Sequence, residues 1–193
     1  HKDKDTDESV YEDKKHMRSV LDVILNQSYT KFGMEKGKGR SYEAILTVKS
    51  IAIAQKYYEL LNEIKQENDE LKICEKVKKA LPDFPKFAIT YSVSENEEAS
   101  KVNQDKMQKS LDDYNQMFGT SYKVEGISAY NANLNDRLAR KEKRYLERSQ
   151  QLDIVIVVNR LLTGFDAPCL STIFIDRQPM KPQEIIQAFS RTN

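Results

Sequence analysis

Tryptophan is missing from this sequence, and cysteine and histidine are scarce. The 193 residues include two cysteines, Cys74 and Cys169, and two histidines, His1 and His16. The cysteines lie far apart and match no metal-ligand spacing, so we expect reduced, structural thiols of a cytosolic protein. Both histidines fall in or beside a charged leader. No metal site is therefore predicted, and a Ser/His catalytic triad is not expected.

Long hydrophobic runs and a strong net charge are missing as well. The longest uninterrupted apolar run, Ile154 to Val158, is far too short to span a membrane. The first residues contain no apolar segment of the kind found in signal peptides. A formal net charge of +1 gives no overall attraction to nucleic acid, so any basic surface must be local. These features predict a cytoplasmic protein without membrane contact.

The two ends of the chain predict a fragment of a longer polypeptide. The initiator methionine is missing, and the sequence stops at "IIQAFSRTN" without a glycine, a proline or a polar tail. Residues 1–13 mix both signs of charge with almost no apolar side chain, which predicts a mobile leader. Residues 14–193 are predicted to form one domain that is truncated at its C-terminal end.

Short apolar segments alternate with amphipathic segments along this domain. Apolar residues at helical spacing predict five helices, over roughly 14–30, 54–64, 74–81, 107–118 and 134–145. Strands are predicted at 44–48, 86–92, 153–158 and 171–176, followed by a last helix over 183–191 that Pro182 opens. This alternation favours an α/β fold, a parallel sheet covered by helices, with ligand chemistry at the carboxyl ends of the strands.

One glycine-rich segment, "GMEKGKGR", has the composition of a phosphate-binding loop without its spacing. The Walker pattern requires a Gly-Lys followed by Ser or Thr, whereas no Ser or Thr follows a Gly-Lys here. No strand precedes the segment either. We interpret it as a surface loop.

Two polar stretches near the C-terminus are more informative. In "VVNRLLTGFDAP", a buried strand leads to Thr163, Gly164 and Asp166. Glycine there permits close approach of a ligand, and the carboxylate accepts hydrogen bonds; an ordinary turn explains the pattern equally well. In "QAFSRTN", Gln187 and Arg191 lie four residues apart on the predicted helix. Arginine suits phosphate binding, although a surface ion pair is the more usual role for a charged helical residue.

A basic stripe is predicted on the helix that contains Leu134 and Leu138. Five cations recur there at helical spacing: Arg137, Arg140, Lys141, Arg144 and Arg148. Such a stripe could follow a duplex backbone. A solvated helix with Glu142 and Glu147 as ion-pair partners is the interpretation that the charge pattern alone favours. Tyr57, Tyr58 and Tyr114 lie on apolar stripes and are predicted to be core residues.

Taken together, "VVNRLLTGFDAP", "LSTIFIDR" and "IIQAFSRTN" closely resemble the second motor lobe of the R (translocating) subunit of type I restriction enzymes. That subunit is a superfamily 2 helicase-like ATPase with two RecA-like lobes. Upstream, "YEAILTVKSIAIAQKYYELL" is similar to motif IV of the same lobe. The resemblance covers most of residues 15–193.

The resemblance implies roles for individual residues. Gly164 and Asp166 match the motif V positions that line the ATP cleft, and Gln187 and Arg191 match motif VI, which faces the phosphates; Arg191 would be catalytic. A second motif VI arginine would fall just after Asn193. Thr47 and Ser50 match the motif IV turn, where they would hold a DNA phosphate, with a simple helix cap as an equal alternative for Ser50.

The resemblance also implies an activity for the complete subunit: ATP-driven translocation of double-stranded DNA that leads to endonucleolytic cleavage. ATP and Mg²⁺ would be held mainly by the first RecA-like lobe, so none is expected on this fragment, which would be inactive alone. The implied partners are duplex DNA, the methyltransferase and specificity subunits, and the first lobe. Two alternatives are a non-catalytic α/β lobe that binds nucleic acid or protein, and the second lobe of another superfamily 2 helicase.

Overall fold

A computed structural model of the chain describes residues 2–93, 98–159, 169–176 and 186–190. Within these ranges the helices are α1 (Lys2–Asn26), α2 (Ile51–Lys65), α3 (Glu75–Ala80), α4 (Glu98–Phe118) and α5 (Ile127–Ala139). The strands are β1 (Glu43–Val48), β2 (Phe87–Thr90), β3 (Ile154–Val158), β4 (Leu170–Asp176) and β5 (Ile186–Ser190). The four predicted strands are confirmed as β1 to β4.

The strands form one sheet in the order β2-β3-β1-β4-β5. Strands β2, β3, β1 and β4 are parallel, and β5 runs antiparallel to β4. Helices flank this sheet, so the predicted α/β fold is confirmed, and it is consistent with a RecA-like lobe. After β1 the chain builds β2 and β3 on one side and then β4 on the other. The carboxyl end of β1 is therefore a topological switch point, where ligands of open α/β sheets bind.

The predicted last helix is wrong. Residues Ile186–Ser190 form β5, with Gln187 opposite Phe174 of β4. Without β5, strand β4 would be an edge with a row of unpaired backbone N–H and C=O groups, and the extra strand satisfies them. Short apolar runs fit a helix or a strand equally well, and isoleucine and phenylalanine both favour strands. Pro182 and Arg191 lie outside the described residues.

Two other predicted helices have different limits in the structure. Helix α1 begins at Lys2, so most of residues 1–13 belong to it, and their mobility stays a prediction. Helix α5 ends at Ala139, because Arg140 takes a left-handed conformation with φ of 51°. Tyr145 lies in a separate 3-10 helix, Lys143–Leu146, and a second such helix covers Arg148–Gln150.

The hydrophobic core lies on the sheet and under the helices. Ala44, Ile45 and Leu46 of β1 are fully buried, as expected for a central strand that is covered on both faces. Tyr57, Tyr58 and Tyr114 are also buried, which confirms their prediction as core residues. The hydroxyl group of Tyr58 donates to Asp113 at 2.6 Å, so this ring links α2 to α4 and keeps its polar atom satisfied.

Candidate functional site

The carboxyl ends of β1, β3 and β4 meet at one edge of the sheet. Asn159, directly after β3, has a left-handed backbone with φ of 47°. Its side-chain amide donates to the carbonyl of Lys49 at 2.8 Å, and its backbone N–H donates to the carbonyl of Val48 at 2.9 Å. These two bonds fix the end of β3 to the turn after β1. Asparagine tolerates the left-handed region better than most residues, which explains its use here.

Ser50 begins α2 at this edge. Its side-chain oxygen accepts a hydrogen bond from the backbone N–H of Ile53 at 3.2 Å, so it is the N-cap. Thr47 is half-buried on β1, three residues earlier. The helix-cap role of Ser50 is confirmed, whereas DNA contact by Thr47 and Ser50 stays a prediction.

A buried polar cluster that the sequence analysis missed lies at the end of β4. Asp176 is 1% exposed. One of its carboxylate oxygens lies 2.9 Å from Nε2 of His16, and the other accepts a hydrogen bond from the hydroxyl of Tyr57. Burial raises the pKa of Tyr57 well above its ordinary value, and the charge of Asp176 raises it further, so the hydroxyl keeps its proton and donates.

This Asp176 cluster, with His16 and Tyr57, joins α1 and α2 to the carboxyl edge of the sheet. His16 had been grouped with the charged leader; the structure instead buries it on α1. Its Nδ1 atom is also buried and has no hydrogen-bond partner within the described part of the chain. The available sequence signal was an aspartate at the end of a buried strand, "STIFID". His16 and Tyr57 are 160 and 119 residues away from Asp176 in sequence, so the sequence alone does not show that the three side chains meet.

The strands that precede the residues predicted to bind ATP end at different edges: β3 ends at this edge, whereas β5 runs antiparallel to β4 and ends at the opposite one, with Ser190 opposite Thr172. Gly164 and Asp166 follow β3, and Arg191 follows β5; all three lie outside the described residues. The backbone of Gln187 lies in β5, beside β4. Their ATP-binding roles, and the catalytic role of Arg191, stay predictions.

The predicted basic stripe is wrong as a geometric feature, because α5 ends before most of its residues. Arg137 is 2% exposed, and its guanidinium centre lies 3.6 Å from the centroid of the Phe118 ring. Its Nε donates to the hydroxyl of Tyr114 at 2.9 Å, and Nη1 donates to the carbonyl of Gln150 at 2.8 Å. All of this places Arg137 in the core, away from any surface that DNA could reach.

Two more of the five cations are held at the amino ends of the strands. Arg148 binds both oxygens of the buried Asp153, at 2.6 and 2.8 Å. The side chain of Arg140 is 4% exposed and donates to the carbonyl of Ser41 at 2.7 Å. These bonds tie the segment 137–148 to the beginnings of β1 and β3.

Lys141 and Arg144 are the members of the predicted stripe that remain on the surface. Their side chains are 63% and 58% exposed, and they pair with Asp136 and Glu142. Glu142 was a predicted ion-pair partner, and this pairing is confirmed. Such exposed pairs contribute little to stability and exchange readily with other anions.

The described ranges hold no group of three or more His, Cys, Asp or Glu side chains that could bind a metal ion. Among the helices that the structure describes, none is long and apolar enough to cross a membrane. Cys74 and Cys169 are both free thiols.

The sheet and its carboxyl edge define an α/β protein with polar residues at its topological switch point. Comparison with known proteins gives the family. Residues 40–193 match the family model described as type I restriction enzyme subunit R, domain 3. The chain belongs to this family.

Individual relatives agree with that assignment. The chain is 28% identical over 193 residues to the endonuclease subunit of the type I restriction enzyme SauMRSORF196P from Staphylococcus aureus strain MRSA252. This alignment covers 98% of the chain and 18% of the relative. The SsaAORF53P endonuclease subunit of Staphylococcus saprophyticus is 31% identical over 163 residues, 81% of the chain and 15% of that protein. The HindI endonuclease subunit of Haemophilus influenzae is 44% identical over 52 residues, 27% of the chain and 5% of the relative. The chain thus spans less than a fifth of the length of these curated relatives.

Proposed function

We propose that the chain is the second RecA-like lobe of a superfamily 2 motor that moves double-stranded DNA with the energy of ATP. In the complete subunit this translocation leads to endonucleolytic cleavage. The observation that carries the proposal is the position of the motif V and motif VI sequences. Motif V follows β3 at the carboxyl edge of the sheet, and motif VI begins in β5, where Gln187 pairs with Phe174 near that edge. Both sequences lie inside the region that matches the R-subunit family.

Each proposed ATP-site residue has a role in this account. Gly164 and Asp166 line the ATP cleft, and Gln187 and Arg191 face the phosphates of the nucleotide across that cleft. The edge fits such a ligand, because it is the switch point of the sheet and presents the N-terminus of α2 beside the end of β1. ATP with Mg²⁺ supplies the phosphoryl chemistry, and both are held mainly by the first lobe. In the complete motor, closure of the two lobes would bring Arg191 to the negative charge that develops on the phosphates.

The proposed partners follow from the same family. They are duplex DNA, the methyltransferase and specificity subunits of the restriction complex, and the first motor lobe, all in the cytoplasm where DNA is encountered. Thr47, Ser50, Lys141 and Arg144 are the proposed DNA contacts that the structure leaves partly or fully exposed. The chain alone is expected to be inactive, since its sequence contains no Walker loop.

Two alternatives differ in their chemistry. A non-catalytic lobe would keep the fold and bind DNA or protein without using Arg191. A lobe of another superfamily 2 helicase has less support, because the family model and the relatives all describe R or endonuclease subunits.

The experiment that tests the proposal is the substitution Arg191→Ala in the full-length protein. An arginine at this position contributes roughly 10³-fold or more to the rate of phosphoryl transfer, so DNA-stimulated ATP hydrolysis should fall by about that factor. Circular dichroism should show an unchanged fold. Lys79→Ala is the matched control, because Lys79 is exposed on α3 and its substitution also removes one positive charge. Equal ATPase rates for the Arg191 variant and the wild type would favour the non-catalytic lobe.

A further inference from the structure

A second polar region lies at the opposite edge of the sheet, where β1 and β4 begin. The backbone N–H of Glu43 donates to the carbonyl of Cys169 at 2.8 Å and joins the two strand beginnings. Beside this bond is a cavity of about 290 Å³. Strand β1 separates it from the carboxyl edge by about 20 Å, the length of six extended residues. This cavity is therefore distinct from the polar carboxyl edge where Ser50, Asn159 and Asp176 lie.

Four cationic side chains line the basic cavity: Lys36, Lys38, Arg40 and Arg140. No Asp or Glu is among its described lining residues. Lys38 and Arg40 take part in none of the ion pairs found in the described part of the chain. Lys36 donates a hydrogen bond to the hydroxyl of Tyr42, and its ammonium lies 4.6 Å from the centre of that ring.

Arg140 forms the fixed inner side of the basic cavity. Its Nη2 is anchored on the carbonyl of Ser41, and its Nε lies 3.4 Å from a carboxylate oxygen of Glu43. Burial raises the pKa of Glu43 to about 8, although Arg140 opposes the shift. Neither Nε of Arg140 nor Oε2 of Glu43 has a hydrogen-bond partner among the described residues, so the pairing of these two side chains is incomplete.

The loop that carries the other three cations is held against Tyr42. Gly33 has a φ of 69°, and a Cβ atom there would lie 2.9 Å from the Tyr42 ring. Only glycine permits this backbone conformation and this contact together. The beginning of the loop is thus packed closely on the cavity wall, and Lys36, Lys38 and Arg40 of the loop line one solvent-open cavity.

We propose that the basic cavity is a phosphate-binding site. A carboxylate carries one negative charge and would leave most of the surrounding positive charge uncompensated, whereas a phosphate group carries up to two. Arginine offers paired N–H donors that match phosphate oxygens, and the lysines add mobile point charges. The phosphate belongs either to the backbone of duplex DNA or to a small free anion such as pyrophosphate. The site stands on its own geometry and does not depend on ATP hydrolysis by the motor.

Site-resolved acetylation of lysines in the full-length protein tests the proposal. Trace acetic anhydride labels exposed amines, and peptide mass spectrometry reports the acetylation rate of each lysine separately. Because Lys38 is measured on its own, anion binding in the ATP cleft does not affect the measurement. In the absence of ATP, millimolar pyrophosphate should slow acetylation of Lys38 several-fold. Lys79 on α3, which is also exposed, should react at an unchanged rate.

A second arm of the experiment replaces pyrophosphate with a short DNA duplex. Protection of Lys38 by both probes identifies the ligand as a backbone phosphate, and protection by pyrophosphate alone identifies a small free anion. Either result supports the site. Unchanged labelling of Lys38 with both probes, or equal slowing at Lys38 and Lys79, overturns it.

A variant gives an independent check on the same cavity. Arg40→Gln should weaken pyrophosphate protection of Lys38 by about tenfold in concentration, as expected when one charge-assisted contact is lost. Lys56→Gln, on the exposed surface of α2, is the control and should leave protection unchanged. Since ATPase activity is not measured, failure here leaves the result for Arg191→Ala unaffected. Full protection in the Arg40 variant would contradict the proposed ligand set.

Discussion

At the scale of single residues, the arginines of segment 137–148 differ more in role than their spacing indicates. Arg137 is stacked on Phe118 in the core, Arg148 neutralises the buried Asp153, and Arg144 stays in solvent. An arginine can be buried when its stem contacts apolar groups and its N–H donors are satisfied. Sequence spacing gives no information about those partners, which come from α4 and from the segment before β3.

The substitution Arg137→Ala should destabilise the 193-residue chain strongly. It leaves a cavity beside Phe118 and removes one hydrogen-bond donor from the Tyr114 hydroxyl and one from the Gln150 carbonyl, so the free energy of unfolding should fall by about 3 kcal/mol. Urea denaturation measures this change. Arg144→Ala, which removes an exposed arginine, should cost less than about 0.5 kcal/mol. Similar losses for both variants would show that Arg137 is not a core residue in solution.

At the scale of elements, the turn from β1 into α2 combines a structural role with a proposed DNA contact. Ser50 caps α2, and the first backbone N–H groups of this helix point toward the carboxyl edge. A cap and a phosphate contact use the same feature, the positive end of a helix. A negative charge introduced at position 50 should therefore distinguish helix capping from phosphate binding.

Two substitutions of Ser50 test them. Ser50→Ala should lower the free energy of unfolding by about 1 kcal/mol, because the cap is lost. Ser50→Asp keeps a capping oxygen, so stability should be retained, but its negative charge should weaken duplex binding by the full-length protein about tenfold. Fluorescence anisotropy at fixed salt measures the binding. Wild-type affinity in the aspartate variant would leave Ser50 with the capping role alone.

The elements themselves could largely be predicted, and the exceptions have physical causes. Strands β1 to β4 could be predicted because each is a short apolar segment, the pattern typical of strands that are buried on both faces of a parallel sheet. Strand β5 could not be predicted, because its conformation depends on pairing with β4. The end of α5 was missed because Arg140, a residue without special preference for φ above zero, takes the left-handed position that glycine usually marks.

At the scale of the whole molecule, the parallel sheet separates two polar edges. The carboxyl edge combines the switch point, the N-terminus of α2 and the Asp176 cluster, and the motif V sequence follows β3 there. The amino edge contains the basic cavity. The first edge could be predicted from the alternation of strands with helices and from the motif V sequence. The Asp176 cluster and the basic cavity could not, because their residues meet only after the chain has folded.

We propose that this chain is part of a motor that consumes ATP while it moves along duplex DNA. The most direct test measures ATP hydrolysed per bound duplex, with the full-length protein assembled with its partner subunits, on duplexes of increasing length that share one binding site. The account predicts that ATP consumption rises with duplex length, and that the Arg191→Ala variant shows almost none at any length. Equal consumption on short and long duplexes would contradict translocation by this protein.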